Sequence, residues 1–457
     1  MLDNIEVPTG PPLPESTAEQ LRIEHSRLRR RILYSQHISD VRKRVVEAVG
    51  SPRAKKMGLR PDMTSNPAWS VCTSLAALYR KVPEVMAPEG AELAAEAIAE
   101  AGYWQLAQRN QRDTIGLNNM FVRVDFDEDD GPAFQLAHPD MVQVKSHPLR
   151  PDRLLEVKHW VEDPRDAEKW VQLVVNPGQR RYVALDEDGV DVSSEVLEGQ
   201  FSGDAYPWVI DEQAVMPYVP FRAAETGYTL DPYTMAEVFE GALQLGVYYT
   251  FFGHILRNAA WAQRYGIGVR PLGATTSQDG RRSEVVADPA TLLMFEQLPE
   301  HPGQPTLNQF ANPVDPEKVL ASVERYERRL VEMALGSVGV SRRQSDVRSA
   351  MSLAVSREEQ RWAQQSYEPM FRRSDLRLLA LTSGLMGLPT QGWRINYFSI
   401  PKDSAEIQAE MEQMAKLIEG GLLSRVEAYR KLHPGLTRDE AISALELIER
   451  DNQQFSA

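Results

Sequence analysis

The sequence predicts an α+β protein that is mainly α, and three observations lead there. Stretches 231–263 and 315–386 carry apolar residues at helical spacing over much more than an ordinary helix length. Across residues 120–230 the period shortens to two, with acidic turns at Asp127-Glu128-Asp129-Asp130-Gly131-Pro132 and Asp186-Glu187-Asp188-Gly189. Finally, 42% hydrophobic and 25% charged residues describe a folded globular chain, and 457 residues exceed one ordinary core.

Composition also sets exclusions. A net charge of −14 argues against bulk binding of nucleic acid by counterion release, so contact with DNA has to be local or weak. The single cysteine, Cys72, leaves no disulfide framework and no Cys-based zinc site, which fits synthesis in a reducing cytosol. Pro8 to Pro14 reads as a proline-rich lead-in without a secretory pattern. No apolar run reaches the roughly 18 residues of a membrane span; the nearest, Ala242 to Leu256, contains Gln244 and His254.

Taken in order, Thr17-Ala18-Glu19-Gln20 reads as a capping box opening a helix with Leu21, Leu28, Ile32 and Leu33. Arg27, Arg29, Arg30 and Arg31 make that helix basic; a solvated face is the plainer reading, a nucleic-acid patch the sharper one. Asn66-Pro67-Ala68-Trp69 starts a second helix, and Ala91 to Arg112 reads as one alanine-rich helix. Strand candidates follow at Phe121 to Val124, Phe134 to Leu136, Leu154 to Trp160, Val171 to Val175 and Met216 to Phe221.

The helix at 231–263 is apolar nearly all round, through Leu243, Leu245, Val247, Tyr248, Tyr249, Phe251, Phe252, Ile255 and Leu256. Such a helix has to be covered on several sides, by its own domain or by identical neighbours. Gly246 and Gly253 permit close helix approach. Residues 264–314 form a Gly- and Pro-rich excursion, with strand-like pieces at Val285-Val286 and Leu292 to Phe295. Asp315-Pro316-Glu317 then caps a helix with the stripe Val319, Val323, Tyr326, Leu330 and Met333. Gly336 to Gly339 ends it, a basic loop follows, and a second helix runs from Ser345 to about Met386. A kink is expected at Pro369, and the part before it is roughly 35 Å long. The chain closes with a strand at Trp393 to Ile400 and two helices, capped by Asp403 with Glu406 and Thr437 with Glu440.

The search for chemistry is mostly negative. The sequence carries no phosphate-cradling Gly-rich loop with Lys-Ser/Thr, no paired-histidine zinc helix and no nucleophile elbow. Gly266-Ile267-Gly268 lacks a third glycine and follows a helix. Asp125, Asp127 and Asp129 imitate a calcium loop, but its glycine falls late, at Gly131, and Leu136 stands where a Glu is needed. The eight histidines are scattered, and Cys72 sits among apolar helix positions. No catalytic residue, cofactor or metal is assigned, and the chain is read as a non-enzyme.

The order of parts resembles the portal proteins of tailed bacteriophages with siphovirus-type portals, over nearly the whole chain. The likeness lies in the helix after Asn66-Pro67, and in Met216-Pro217-Tyr218-Val219-Pro220-Phe221, where that family has an "IPVVPF"-like strand before its first stem helix. It continues through the rod, excursion and rod, and the Arg/Ser-rich loop before a long helix. It ends with Ile400-Pro401-Lys402 leading to Gly421-Leu422-Leu423-Ser424-Arg425-Val426-Glu427-Ala428, like the family's "gi-S-xET" stretch. The chain departs from the pattern in Arg425-Val426-Glu427, which replaces a shorter spacing, and in its short excursion.

The resemblance implies a portal fold: a wing at 1–230 and 389–400, stem helices at 231–263 and 315–335, and a clip at 264–314. It further implies a tunnel loop at 336–349, a spine helix at 350–388 and a crown at 401–457. The protein would form a dodecameric ring at one capsid vertex of the virion, through which double-stranded DNA is packaged and ejected. Its partners would be terminase large subunit, a head-tail adaptor and the major capsid or scaffolding protein, with no membrane. Arg342, Arg343 and Arg348 would touch DNA in the channel, or else pair with acids such as Asp346. Tyr249, Phe252, Val323, Tyr326 and Leu330 are expected at the subunit interface, because one chain's rods are not expected to bury both apolar faces. Two other classes stand beside this one: a metal-dependent nuclease built on Asp125, Asp127 and Glu128, and a non-portal structural adaptor.

Overall fold

The computed structural model describes residues 11–14, 16–52, 58–127, 130–197, 206–225, 230, 235–260, 264–267, 269–271, 295–297, 304, 306–309, 315–335, 350–398, 404–421, 423–432 and 438–455. The chain divides into two compact units, Met1–Val340 with Gln364–Phe398, and Ser341–Ala363 with Ser399–Ala457.

The first unit opens with helices. α1 spans Thr17–Leu33, but its N-cap is Ser16 and makes no side-chain cap bond. Gln20 reaches back to the Pro14 carbonyl instead (2.7 Å), so the anticipated capping box does not form. α2 (Ile38–Val49) buries Val41 and Val45 and ends at Gly50 with φ 82°. α3 (Pro67–Leu75) starts as its sequence dictates: the Asn66 side chain accepts from the Trp69 N–H at 3.1 Å, with Pro67 in the first turn. The alanine-rich segment is two helices, α4 (Glu92–Glu100) and α5 (Tyr103–Leu117). Gly102 between them takes the left-handed conformation at φ 73°, which a continuous helix cannot contain.

The β-rich part builds two main sheets. β1 (Glu84–Met86) stands apart from them. β2 (Asn119–Asp127) and β3 (Gly131–Ala137) form a hairpin about the acidic turn. β4 (Val142–His147), β5 (Arg150–Asp163), β6 (Asp166–Asn176) and β7 (Arg181–Leu185) make a four-stranded antiparallel meander. After α6 (Ser193–Val196) come the short pair β8 (Val209–Ile210) and β9 (Gln213–Ala214), and then β10 (Tyr218–Arg222). β10 joins the hairpin antiparallel in the order β10-β2-β3, and its edge place accommodates Pro220. Alternation divides this sheet between two cores. Met120, Val122, Val124, Val219 and Phe221 enter one core with α4, α5 and the long C-terminal helix. Phe121 and Tyr218 enter the other, with Val157, Val171, Val175 and Trp208 beside the meander.

Two helices bracket a small β excursion. α7 spans Ala236–Ala260 and α8 spans Pro316–Leu335. Between them β11 (Arg264–Ile267) pairs antiparallel with β14 (Thr306–Gln309), and β12 (Val269–Pro271) with β13 (Phe295–Gln297). The strand candidate Val285-Val286 lies outside the described residues. α9 (Ala350–Leu385) runs unbroken through Pro369; Gln364 to Leu385 belong to the first unit and Ala350 to Ala363 to the second. β15 (Arg394–Asn396) returns to pair antiparallel with β1, joining positions about three hundred residues apart into one wall of the core.

The second unit closes the chain with three helices where two were expected: α10 (Ser404–Glu419), α11 (Arg425–Leu432) and α12 (Arg438–Phe455). Gly421, at φ 69°, terminates α10. Ser424 starts α11, accepting from the Glu427 N–H at 3.2 Å while donating to its carboxylate. Met414, Ala428 and Ala441 are buried within this unit. Among the described residues no helix is long and apolar enough to cross a membrane.

Candidate functional site: the two-helix rod

The all-round apolarity of α7 resolves into faces with separate partners. One face meets the N-terminal segment. Gly246 lies so close that an added Cβ would stand 2.7 Å from the Val41 side chain and 3.0 Å from the Asp62 carbonyl. The Asp62 N–H donates to Thr250 Oγ1 at 3.0 Å, and that hydroxyl donates to the Gly246 carbonyl at 2.6 Å. Arg257 reaches the Gly58 carbonyl at 3.2 Å, and Arg44 pairs with Glu240. Phe239 lies beneath the Arg29 guanidinium, 5.0 Å from its ring centroid.

A second face of α7 holds α8. Leu245, Val323 and Leu330 are buried together, with Tyr249, Val319 and Tyr326 packed against them. Leu330 sits over Gly241, where a Cβ would come within 2.4 Å of its methyl groups. Tyr326 meets Tyr248 edge to face at 5.5 Å, and the Tyr249 hydroxyl donates to Glu327 at 3.1 Å. The middle of the α8 stripe, Val323 and Leu330, is thus covered from within the chain. Val323 (7% exposed) and Leu330 (4%) are covered by α7, while part of the apolar surface of α7 itself is not.

What remains is concentrated in the second half of α7. Phe251, Phe252 and Ile255 are half-buried, Tyr248 and Leu256 are 38% and 44% exposed, and a Cβ added at Gly253 would meet nothing within 4 Å among the described residues. Met333 on α8 is 65% exposed. Of the five residues expected at an interface, Phe252 lies in this apolar region and Tyr249 and Tyr326 border it. Arg342, Arg343 and Arg348 lie outside the described residues.

The other sequence candidates find structural employment. On α1, Arg30 pairs with Asp140 at 2.9 Å, Arg31 with Asp40 at 2.7 Å, Arg27 bonds the Pro11 carbonyl and Arg29 covers Phe239. The basic face is therefore consumed inside the chain rather than presented as a nucleic-acid patch. Asp125 is held by Arg123 at 2.9 Å within the hairpin, Asp127 accepts from the Asp130 N–H, and Glu128 lies outside the described residues. No cluster of metal-holding side chains occurs among the described residues. Cys72 is fully buried, and burial pushes its thiol up to about 12, so at neutral pH it is an inert core residue.

Sequence reasoning missed two features. Asp152 gathers Arg222 (3.1 Å), Arg373 (2.9 Å) and Arg377 (3.4 Å), fastening β5, β10 and α9. Its arginines come from distant parts of the chain, and no local spacing announces them. Asp375 was legible, since it interrupts the apolar stripe Phe371, Leu378 and Leu379 on α9.

No family model matches the chain. No curated protein matches it. Among solved structures, a chain from the virion of a native gene transfer agent particle aligns at 14% identity and a TM-score of 0.39, covering 83% of this chain and 96% of its own. A chain from the neck of an empty gene transfer agent particle, computed with C6 symmetry, aligns at 13% identity and 0.38, covering 85% and 92%. At such scores the likeness establishes neither fold nor role.

Proposed function

We propose that the chain is a phage-type portal, a structural subunit of the head-to-tail connector that conducts double-stranded DNA and performs no catalysis. The observation that carries this reading is the rod itself. Two packed helices bracket strands that pair in nested fashion, β11 with β14 and β12 with β13, so the excursion closes on itself. That layout agrees with the stem and clip implied by the sequence resemblance. Pairing of β15 with β1 likewise agrees with a wing drawn from both ends of the chain.

In this reading α7 and α8 form one stem unit through Gly241, Leu245, Val323 and Leu330. The exposed apolar region around Tyr248, Phe251, Phe252 and Ile255 meets neighbouring copies in a closed ring of about twelve subunits. The ring serves terminase during packaging and then an adaptor, with capsid or scaffolding protein around it. A chain of net charge −14 suits a conduit, because acidic walls repel phosphates and let the duplex slide. Arg342, Arg343 and Arg348 supply a few sequence-independent backbone contacts from the 336–349 loop. Reversing Arg342 and Arg343 to Glu leaves ring assembly intact and reduces the DNA retained per assembled particle. Particles that package and hold a full genome with both charges reversed would contradict this role.

A further inference from the structure

Asp375 is fully buried on α9, and among the described residues it is hydrogen-bonded by three phenols from three different places. Tyr103 on α5 donates to Oδ1 at 2.5 Å, Tyr79 from the segment after α3 donates to Oδ2 at 2.6 Å, and Tyr397, just past β15, also donates to Oδ2. The nearby cations lie outside this set. Arg372 on α9 is paired with Glu368, Lys81 lies over the Phe398 ring at 5.8 Å, and Arg394 on β15 is exposed. A carboxylate bound by three donors and no cation is complete only while it is charged, since a carboxylate accepts at every lone pair and a carboxylic acid must also donate.

We propose that Asp375 is a proton-operated pin, whose charge decides how firmly Tyr397 and the Trp393–Phe398 segment are held against the long helix. A proton taken from solvent adds to Oδ2, and the new O–H donates to one of the two phenol oxygens already there. That phenol then turns its own hydrogen elsewhere. Tyr103 is enclosed at 0% exposure, and Tyr79, at 4%, lies beside the Tyr397 hydroxyl, to which it can pass its hydrogen. Tyr397 is the least enclosed of the three phenols, so its hydroxyl is the one that gives way. A charge-assisted bond is thereby exchanged for a weaker neutral one at the segment that carries β15. Burial, opposed by the three phenols, places this carboxyl at about 6, so the exchange falls within an accessible pH range. The inference is independent of the proposed portal role.

Hydrogen exchange of the amides of Arg394 to Phe398, normalised for intrinsic rate, tests it on the intact chain. Protection is expected to fall several-fold between pH 7.5 and pH 5. In Tyr397→Phe it is expected to be low and the same at both pH values. Asp375→Asn, which fixes a neutral side chain, should behave likewise, and if that variant does not fold, Tyr397→Phe decides. Equal protection at both pH values in the unmodified chain, or a pH response that survives in Tyr397→Phe, would overturn the proposal.

Discussion

His159 lies on β5 with Nδ1 3.1 Å from the Tyr218 hydroxyl, 3% exposed and close to the charge of Arg123. Burial, reinforced by Arg123, lowers its imidazole from 6.5 to about 3. Between those values the unfolded chain binds a proton that the folded chain refuses, so this residue costs stability as pH falls through 6.5 toward 3. Asp375 works in the opposite sense over its narrower window, because burial raises it from 3.8 to about 6. Replacing His159 by Gln keeps a hydrogen-bonding partner for Tyr218 without a titrating group. Urea unfolding between pH 6 and pH 4 should show a shallower acid limb in that variant, by about 1 kcal/mol per pH unit. Identical limbs would mean that His159 takes up its proton without unfolding. Neither environment was readable beforehand: period two places His159 on a strand, but only the folded arrangement brings Arg123 and Tyr218 to it. Asp375 stood in plain view as a carboxylate in an apolar helix stripe, whereas its three tyrosines are scattered from residue 79 to residue 397.

At the scale of elements, long periodic segments were the most legible. Helices at 236–260, 316–335 and 350–385 and the paired strands about the first acidic turn follow directly from apolar spacing and turn residues. Junctions were harder. Gly102 splits the alanine-rich helix because one left-handed residue outweighs a run of strong helix formers. Ser424-Arg425-Val426-Glu427 holds a helix start that its spacing advertised, yet α11 is too short for its apolar period to register. Gly246 and Gly253 of α7 show what sequence leaves open, since either could have marked a close approach. Of these two Gly246 does so, against Val41 and the Asp62 backbone, while a Cβ at Gly253 would meet nothing among the described residues. Gly246→Ala should therefore lower unfolding stability by about 1–3 kcal/mol through overpacking. Gly253→Ala should leave it unchanged or raise it by up to about 1 kcal/mol through helix propensity. Urea midpoints at one fixed protein concentration separate the two, and equal shifts would contradict the asymmetric packing of α7.

For the whole molecule, the central claim is assembly. Val323 and Leu330 on α8 are covered within one chain, which leaves for neighbours the second half of α7 around Tyr248, Phe251, Phe252 and Ile255, together with Met333. A charge introduced there would be unpaired in a ring interface but solvated in a lone chain, so its effect depends on whether neighbours exist. Native mass spectrometry of the purified 51.5 kDa chain, beside its Phe252→Asp variant, reads this directly. One dominant species of about twelve subunits is expected for the unmodified chain and mainly monomers for the variant. A monomer or dimer at every concentration, or a ring that survives Phe252→Asp unchanged, would contradict it.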